Sequence, residues 1–248
     1  NFKEAQIYGQ FSKSWDDYNG HGTHVAGSIV GNGANSGGKI RGGAYEAKVI
    51  MQSLWNYLYA SLSLPNDLAD LFGPAYKIGA RVHSNSWGST AGLGQYDSNA
   101  QEADDFMFKN PEMLLVFAAG NSGIDKNRDG KIDESSIVTP ATAKNVLTVG
   151  ASENLELTRS RRTPQDFAGW ESKWSADPIS TGKISDNANG VAMFSSRGPT
   201  ADGRIKPDVL APGANVLSLH SQITGAKLWG DYNKMYTWAG VTSMATPL

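Results

Sequence analysis

Met113-Leu114-Leu115-Val116-Phe117-Ala118-Ala119 runs unbroken in apolar residues and closes on Gly120-Asn121-Ser122-Gly123. A strand with one wet face would alternate, so a continuous apolar run predicts a strand buried on both sides, as in a parallel sheet. Working outward, Ala100, Ala103, Phe106 and Met107 recur on one helical face. Arg81 to Ser86 mixes β-branched and polar residues and ends at Trp87-Gly88. Further upstream, the short apolar run Val49-Ile50-Met51-Gln52-Ser53-Leu54 precedes Leu68, Leu71, Phe72, Ala75 and Tyr76 at helical spacing. Downstream, Val146 to Ala151 is another strand candidate. Strands alternating with helices predict an α/β fold, with a mostly parallel sheet and helices on both faces. Such sheets bind ligands at the carboxyl ends of their strands. Ser86-Trp87-Gly88 and Gly120-Asn121-Ser122-Gly123 sit at such ends.

Composition narrows the class. The 248 residues suffice for a real core. Lys plus Arg is 22 and Asp plus Glu is 24, a net charge of −2. No basic field is present for nucleic acid or an anionic membrane, so neither is an expected partner. Cysteine is absent, which excludes disulfides, a thiolate nucleophile and thiolate metal ligands. The longest apolar run, Met113 to Gly120, is far shorter than the roughly 20 residues of a membrane span. No signal peptide opens the chain. Two stretches interrupt the strand–helix rhythm: a charged, turn-rich loop at residues 125–134, and a long polar stretch at 155–190. The latter contains Trp170 and Trp174 and reads as a surface insertion.

Three motifs carry chemistry: Gly20-His21-Gly22-Thr23-His24-Val25-Ala26-Gly27, Ala118-Ala119-Gly120-Asn121, and Gly240-Val241-Thr242-Ser243-Met244-Ala245-Thr246-Pro247. Each alone has a bland reading, as a turn with surface histidines, a turn asparagine and an N-cap serine. His21 and His24 as zinc ligands lack an obvious third partner. Gly33 to Lys39 nearly spells a phosphate loop, but Ile40 stands where Ser or Thr is needed, so it reads as a glycine-rich surface loop. In this order the three motifs resemble the subtilisin-like serine proteases, with an appearance nearest to oxidatively stable alkaline subtilases of bacilli. Phe194-Ser195-Ser196-Arg197-Gly198-Pro199-Thr200, Lys206-Pro207-Asp208-Val209 and Ala211-Pro212-Gly213 extend the likeness over nearly the whole chain. The resemblance implies the three-layer subtilisin-like fold.

The residue types suit the chemistry. A serine hydroxyl is a weak nucleophile and needs a base, and histidine titrates in the useful range. The tetrahedral intermediate needs donors aimed at its oxyanion. Ser243 at a helix start has backbone N–H groups to offer, and Asn121 carries a side-chain amide. The resemblance implies Ser243 as nucleophile, His21 as general base, and Asn121 with the Ser243 N–H as oxyanion hole. It also implies polypeptide substrates, paired along Ser86, Trp87 and Gly88, with Ala118, Ala119 and Gly120 as the other pocket wall. Trp87 has the competing reading of a core aromatic. Secretion and a propeptide acting as chaperone and inhibitor are implied in the same way.

Asp125, Asn127, Asp129 and Asp133 follow the early positions of a calcium loop, with Gly130 at the turn and Ile132 apolar. Position 12 is Ser136, not Glu, so a full EF-hand is not expected, but a structural calcium ion is; no organic cofactor is expected.

Two departures from the family pattern stand out. No Asp-Thr-Gly or Asp-Ser-Gly precedes His21, and Val241 stands where the family usually has Gly. Both ends read as cut. The expectation is a partial catalytic domain over 1–248, without the Asp motif upstream or the rest of the serine helix downstream, and nearly inactive alone. The competing reading is a non-catalytic relative serving as a calcium-dependent binding or structural module.

Overall fold

A computed structural model describes residues 2–7, 15–56, 59–156 and 162–248, with side-chain detail from residue 15 onward. In chain order the elements are β1 (Phe2–Ile7), α1 (His21–Val30), β2 (Val49–Ser53), β3 (Trp55–Asn56), β4 (Ser61–Leu62), α2 (Ala69–Lys77), β5 (Val82–Asn85), α3 (Ser98–Lys109) and β6 (Leu114–Ala118). There follow β7 (Leu147–Ser152), β8 (Val209–Pro212), β9 (Val216–Leu219), β10 (Gly230–Asp231), β11 (Tyr236–Ala239) and α4 (Thr242–Ala245). Strands β5, β6, β7 and β8 form a parallel sheet in that order. The apolar run supplies β6, and both its faces are covered. Leu115 and Phe117 join one core with Leu71, Phe72, Ala103 and Phe106 from α2 and α3. Val116 faces a second core with Val149, Ala151, Phe194 and Ala245. The expected helices and strands thus form where the spacing placed them. Asp97 starts α3 by accepting the Ala100 N–H at 3.0 Å, satisfying a donor the helix cannot.

Strand β2 pairs in parallel with β1, apart from the four-stranded sheet. An antiparallel β10–β11–β9 sheet, which no periodicity announced, supports α1. A Cβ on Gly27 would collide with Ser218 and Leu219, so α1 lies flush on β9. His24, fully buried there, contacts the Val216 carbonyl through Nε2 at 3.1 Å. It is structural, as a second histidine on the α1 face should be.

The surface-insertion reading of residues 155–190 needs correction. Trp174 and Ile184 are fully buried in the second core, and Phe167 and Trp170 pack against them. Few but large apolar residues fold this stretch inward, since one aromatic ring buries as much area as several small side chains.

Burial pushes the pKa of both His24 and His83 down to about 4 from 6.5. The unfolded chain then binds more protons than the folded one below about pH 6.5, so stability is full above that value and falls as the pH drops toward 4. Each histidine is expected to cost about 2 kcal/mol at pH 5. Urea midpoints at pH 7.5 and pH 5 measure this, and equal midpoints would contradict the buried, neutral state of these rings.

Candidate active site

Strand β11 delivers the chain to Gly240 and Val241, and α4 begins one residue later. Val241 has φ 107° and ψ 172°, a left-handed conformation that a β-branched residue strongly disfavours. Its N–H donates to the Gly213 carbonyl at 2.7 Å, and its carbonyl accepts the Met244 N–H at 2.9 Å. Ser243 is nearly buried. Its Oγ donates to the Ser86 carbonyl at 3.3 Å, while Ser86 Oγ donates to the Ser243 carbonyl at 2.8 Å. The predicted nucleophile and the predicted substrate strand are therefore tied to each other. The Ser243 N–H has no acceptor among the described residues.

Asn121 lies on the far side of the sheet sequence but reaches the same helix. Its Oδ1 accepts both the Thr242 N–H at 2.9 Å and the Thr242 hydroxyl at 2.7 Å. A backbone N–H can only donate, so the oxygen faces Thr242 and the Nδ2 donors face the other way. Those donors have no partner among the described residues. The amide is held at one end and offered at the other. Gly120 allows this placement: its φ is 106°, and a Cβ there would strike Val138. Thr242 was missed by sequence reasoning, although it sits inside the quoted motif next to Ser243. Its only signal was a hydroxyl with no assigned role.

His21 is the first residue of α1, and α1 packs against α4. Burial lowers its pKa, opposed by the negative charge of Asp17, so the ring is neutral near pH 7. Asp17 does not hold the imidazole. Its Oδ1 accepts the Gly20 N–H at 2.8 Å and its Oδ2 the Thr23 N–H at 2.7 Å. It caps α1 and thereby positions His21, a role for which its place in the preceding loop was the signal. Among the described residues no carboxylate hydrogen-bonds to the His21 ring, nor does His21 bond to Ser243 in this arrangement.

The two walls expected for substrate stand side by side. Gly88 and Gly120 both press on Val138, where a Cβ on either would collide. The Trp87 and Gly88 N–H groups have no acceptor among the described residues, so this edge is free for an extended peptide. The Trp87 side chain takes the core role instead: it meets Phe117 edge-on at 5.4 Å and donates to Asn85 at 3.2 Å. One cavity of about 370 Å³, lined by Leu62, Leu64, Trp87, Gly88 and Thr139, opens on one side of this strand. Another of about 370 Å³, lined by Leu93, Asn121, Ser122 and Ser136, opens beyond Asn121.

Asp125, Asn127, Asp129 and Asp133, the residues expected to hold calcium, share one tightly turned loop. Among the described residues no three His, Asp or Glu side chains gather to hold a metal ion. The carboxylates are engaged by the loop's own backbone. Asp125 accepts the Asp129 and Gly130 N–H groups, each at 3.0 Å; Asp129 accepts Lys131 N–H at 2.9 Å, and Asp133 accepts Lys126 N–H at 3.0 Å. Asp125 is buried, so Asp125→Ala strands two N–H groups and is expected to lower stability by about 3 kcal/mol, read by urea denaturation. A loss under 1 kcal/mol would show that solvent takes over both bonds.

Comparison with known proteins identifies the family and the fold. The profile described as "Subtilase family" matches residues 4–248. The chain is 31% identical to the serine protease/ABC transporter B family protein tagD of Dictyostelium discoideum, covering 99% of this chain and 16% of that protein. It is 32% identical to the serine protease AprX of Bacillus subtilis, covering 98% of this chain and 49% of that protein. The chain thus spans half or less of the length of these relatives. Among solved structures it resembles Sphericase, with a TM-score of 0.60 at 23% identity over 99% of this chain and 73% of that one. It also resembles the S218A mutant of the protease domain of PatA, with a TM-score of 0.61 at 21% identity over 98% and 68%. These two show a shared fold. With a family profile spanning almost all of its length and a serine, histidine and asparagine set on that fold, the chain belongs to the subtilase family.

Proposed function

We propose that this chain carries the catalytic part of a serine endopeptidase acting on polypeptides. The observation that supports it best is the pair of unpartnered donors, the Ser243 N–H and the Asn121 amide, beside a serine hydroxyl. In this reading the substrate pairs along Ser86–Gly88, and Ser243 Oγ turns from the Ser86 carbonyl to attack the scissile carbonyl carbon. Neutral His21 takes the hydroxyl proton as the C–O bond forms, and the carbonyl electrons move onto oxygen. That oxyanion is met by the Ser243 N–H and Asn121 Nδ2. Collapse expels the amine with the proton from His21 and leaves an acyl-enzyme, which water opens by the same steps in reverse. A secreted setting and a pro-segment occupying the same strand edge belong to this proposal through the family.

Labelling tests it. In the full-length protein a fluorophosphonate is expected to modify Ser243 alone, with the adduct mapped by mass spectrometry. Labelling at a different serine in an active preparation would overturn the assignment. A second reading, a non-catalytic relative that binds peptides along the same edge, draws on the absence of a carboxylate on the His21 ring among the described residues. Peptide binding without any labelling or turnover would favour it.

A further inference from the structure

The strained residue before the serine helix is gripped from two sides, by Trp229 and by Gly213, and aromatic residues of the stretch at 155–190 back Trp229. A Cβ built on Gly240 would come within 1.9 Å of Trp229 Cη2, so the outer edge of the indole bears directly on Gly240. Behind, the Gly213 carbonyl holds the Val241 N–H at 2.7 Å, and Gly213 is itself pressed between Ala151 and the Val241 carbonyl. Trp229 in turn has no freedom to swing away. Phe167 lies 4.9 Å from it and Trp170 5.8 Å, with Phe167 and Trp170 stacked at 4.5 Å. Arg162 closes the assembly, donating to the Trp229 carbonyl at 3.2 Å and covering the Phe167 ring at 4.2 Å. Between the two holds, Val241 sits at φ 107°. Valine abandons such a conformation unless the surroundings over-determine it.

We propose that Trp229, backed by Phe167 and Trp170, is a positioning residue for the nucleophile, clamping the Gly240–Val241 peptide so that the Ser243 hydroxyl and N–H meet the substrate carbonyl. The conformation at Val241 sets where α4 starts, because its carbonyl accepts the first helical N–H. If the clamp opens, Val241 relaxes to negative φ, and the Ser243 N–H turns off its target. The structure thus gives the aromatic stretch a catalytic purpose beyond packing. The kinetic part of this inference rests on the proposed peptidase reading; the mechanical part does not.

The experiment is a cycle of Trp229→Leu, Val241→Gly and the double variant in the protein, with Trp229→Phe as a milder second clamp variant. Glycine takes positive φ without strain. On a chromogenic peptide, per active site labelled by fluorophosphonate, Trp229→Leu is expected to lower kcat by about 10–100-fold with KM within about twofold. Adding Val241→Gly is expected to recover at least tenfold of that loss. Independently of activity, Val241→Gly should raise the melting temperature by about 2–4 °C in the clamped protein, and by less than half as much beside Trp229→Leu. Unchanged kcat in both Trp229 variants, or failure of glycine to recover the loss, would overturn the catalytic role. Equal melting shifts in both backgrounds would overturn the clamp. Wild type that neither labels nor turns over, yet shows unequal shifts, refutes the peptidase reading and leaves the clamp standing.

Discussion

In the full-length protein, Ser243→Ala is expected to lower kcat toward peptides by about 10⁶, the order of loss found on removing the serine of subtilisin. This corresponds to about 8 kcal/mol of barrier. The size follows from the site: without Oγ no acyl-enzyme forms, and His21 has no hydroxyl proton to take. The fold should not suffer, since Oγ makes a single long bond of 3.3 Å to the Ser86 carbonyl and Ser86 keeps its own bond to the Ser243 carbonyl. The melting temperature should therefore change little while activity and fluorophosphonate labelling vanish. Residual catalysis about 10³–10⁴ above the uncatalysed rate should survive through the two oxyanion donors. A variant retaining a hundredth of the activity would place the nucleophile elsewhere.

Asn121→Leu is the second large effect, expected at about 10²–10³ in kcat with KM nearly unchanged, or about 3–4 kcal/mol. The split between kcat and KM distinguishes this role from a structural one, because the Nδ2 donors meet charge that develops only in the transition state. Loss of Oδ1 also leaves the Thr242 N–H and hydroxyl without their acceptor. Thr242→Val separates the contributions. It removes one of the two bonds holding the amide and keeps the N–H bond, so a loss of about tenfold in kcat is expected. If Asn121→Leu instead raised KM and left kcat alone, the amide would be a binding group and the oxyanion assignment would be wrong.

The readable parts of this protein were those set by local pattern. The two-sided burial of β6 is written in an unbroken apolar run, and α2 and α3 in their helical spacing. The oxyanion pair could be guessed because Asn121 follows a strand end and Ser243 opens a helix. The inward packing of 155–190 is carried by a few large residues, Phe167, Trp170, Trp174 and Ile184, in an otherwise polar stretch, so composition pointed to the surface while Phe167, Trp170 and Trp174 at i, i+3 and i+7 marked a buried face. The cap at Asp17 depends on where the N–H groups of α1 end up, and the Thr242 hydroxyl acquires meaning only beside Asn121. Spacing picked out the loop at 125–133, but only the fold shows its carboxylates accepting the loop's own N–H groups.

By itself, then, the sequence determined the fold class through short-range periodicity and the family likeness through its motifs, and that likeness nominated Ser243, His21 and Asn121 as the reactive groups. Only the tertiary structure decided how those groups are held. Asn121 and Thr242 are 121 residues apart, Ser86 and Ser243 are 157 apart, and each pair meets through a hydrogen bond that no local spacing encodes. Val241 shows the same division. Its identity marked a departure from the family pattern, but valine alone prefers negative φ, and only the fold shows it at 107°, with Trp229 packed against Gly240 and the Gly213 carbonyl accepting its N–H.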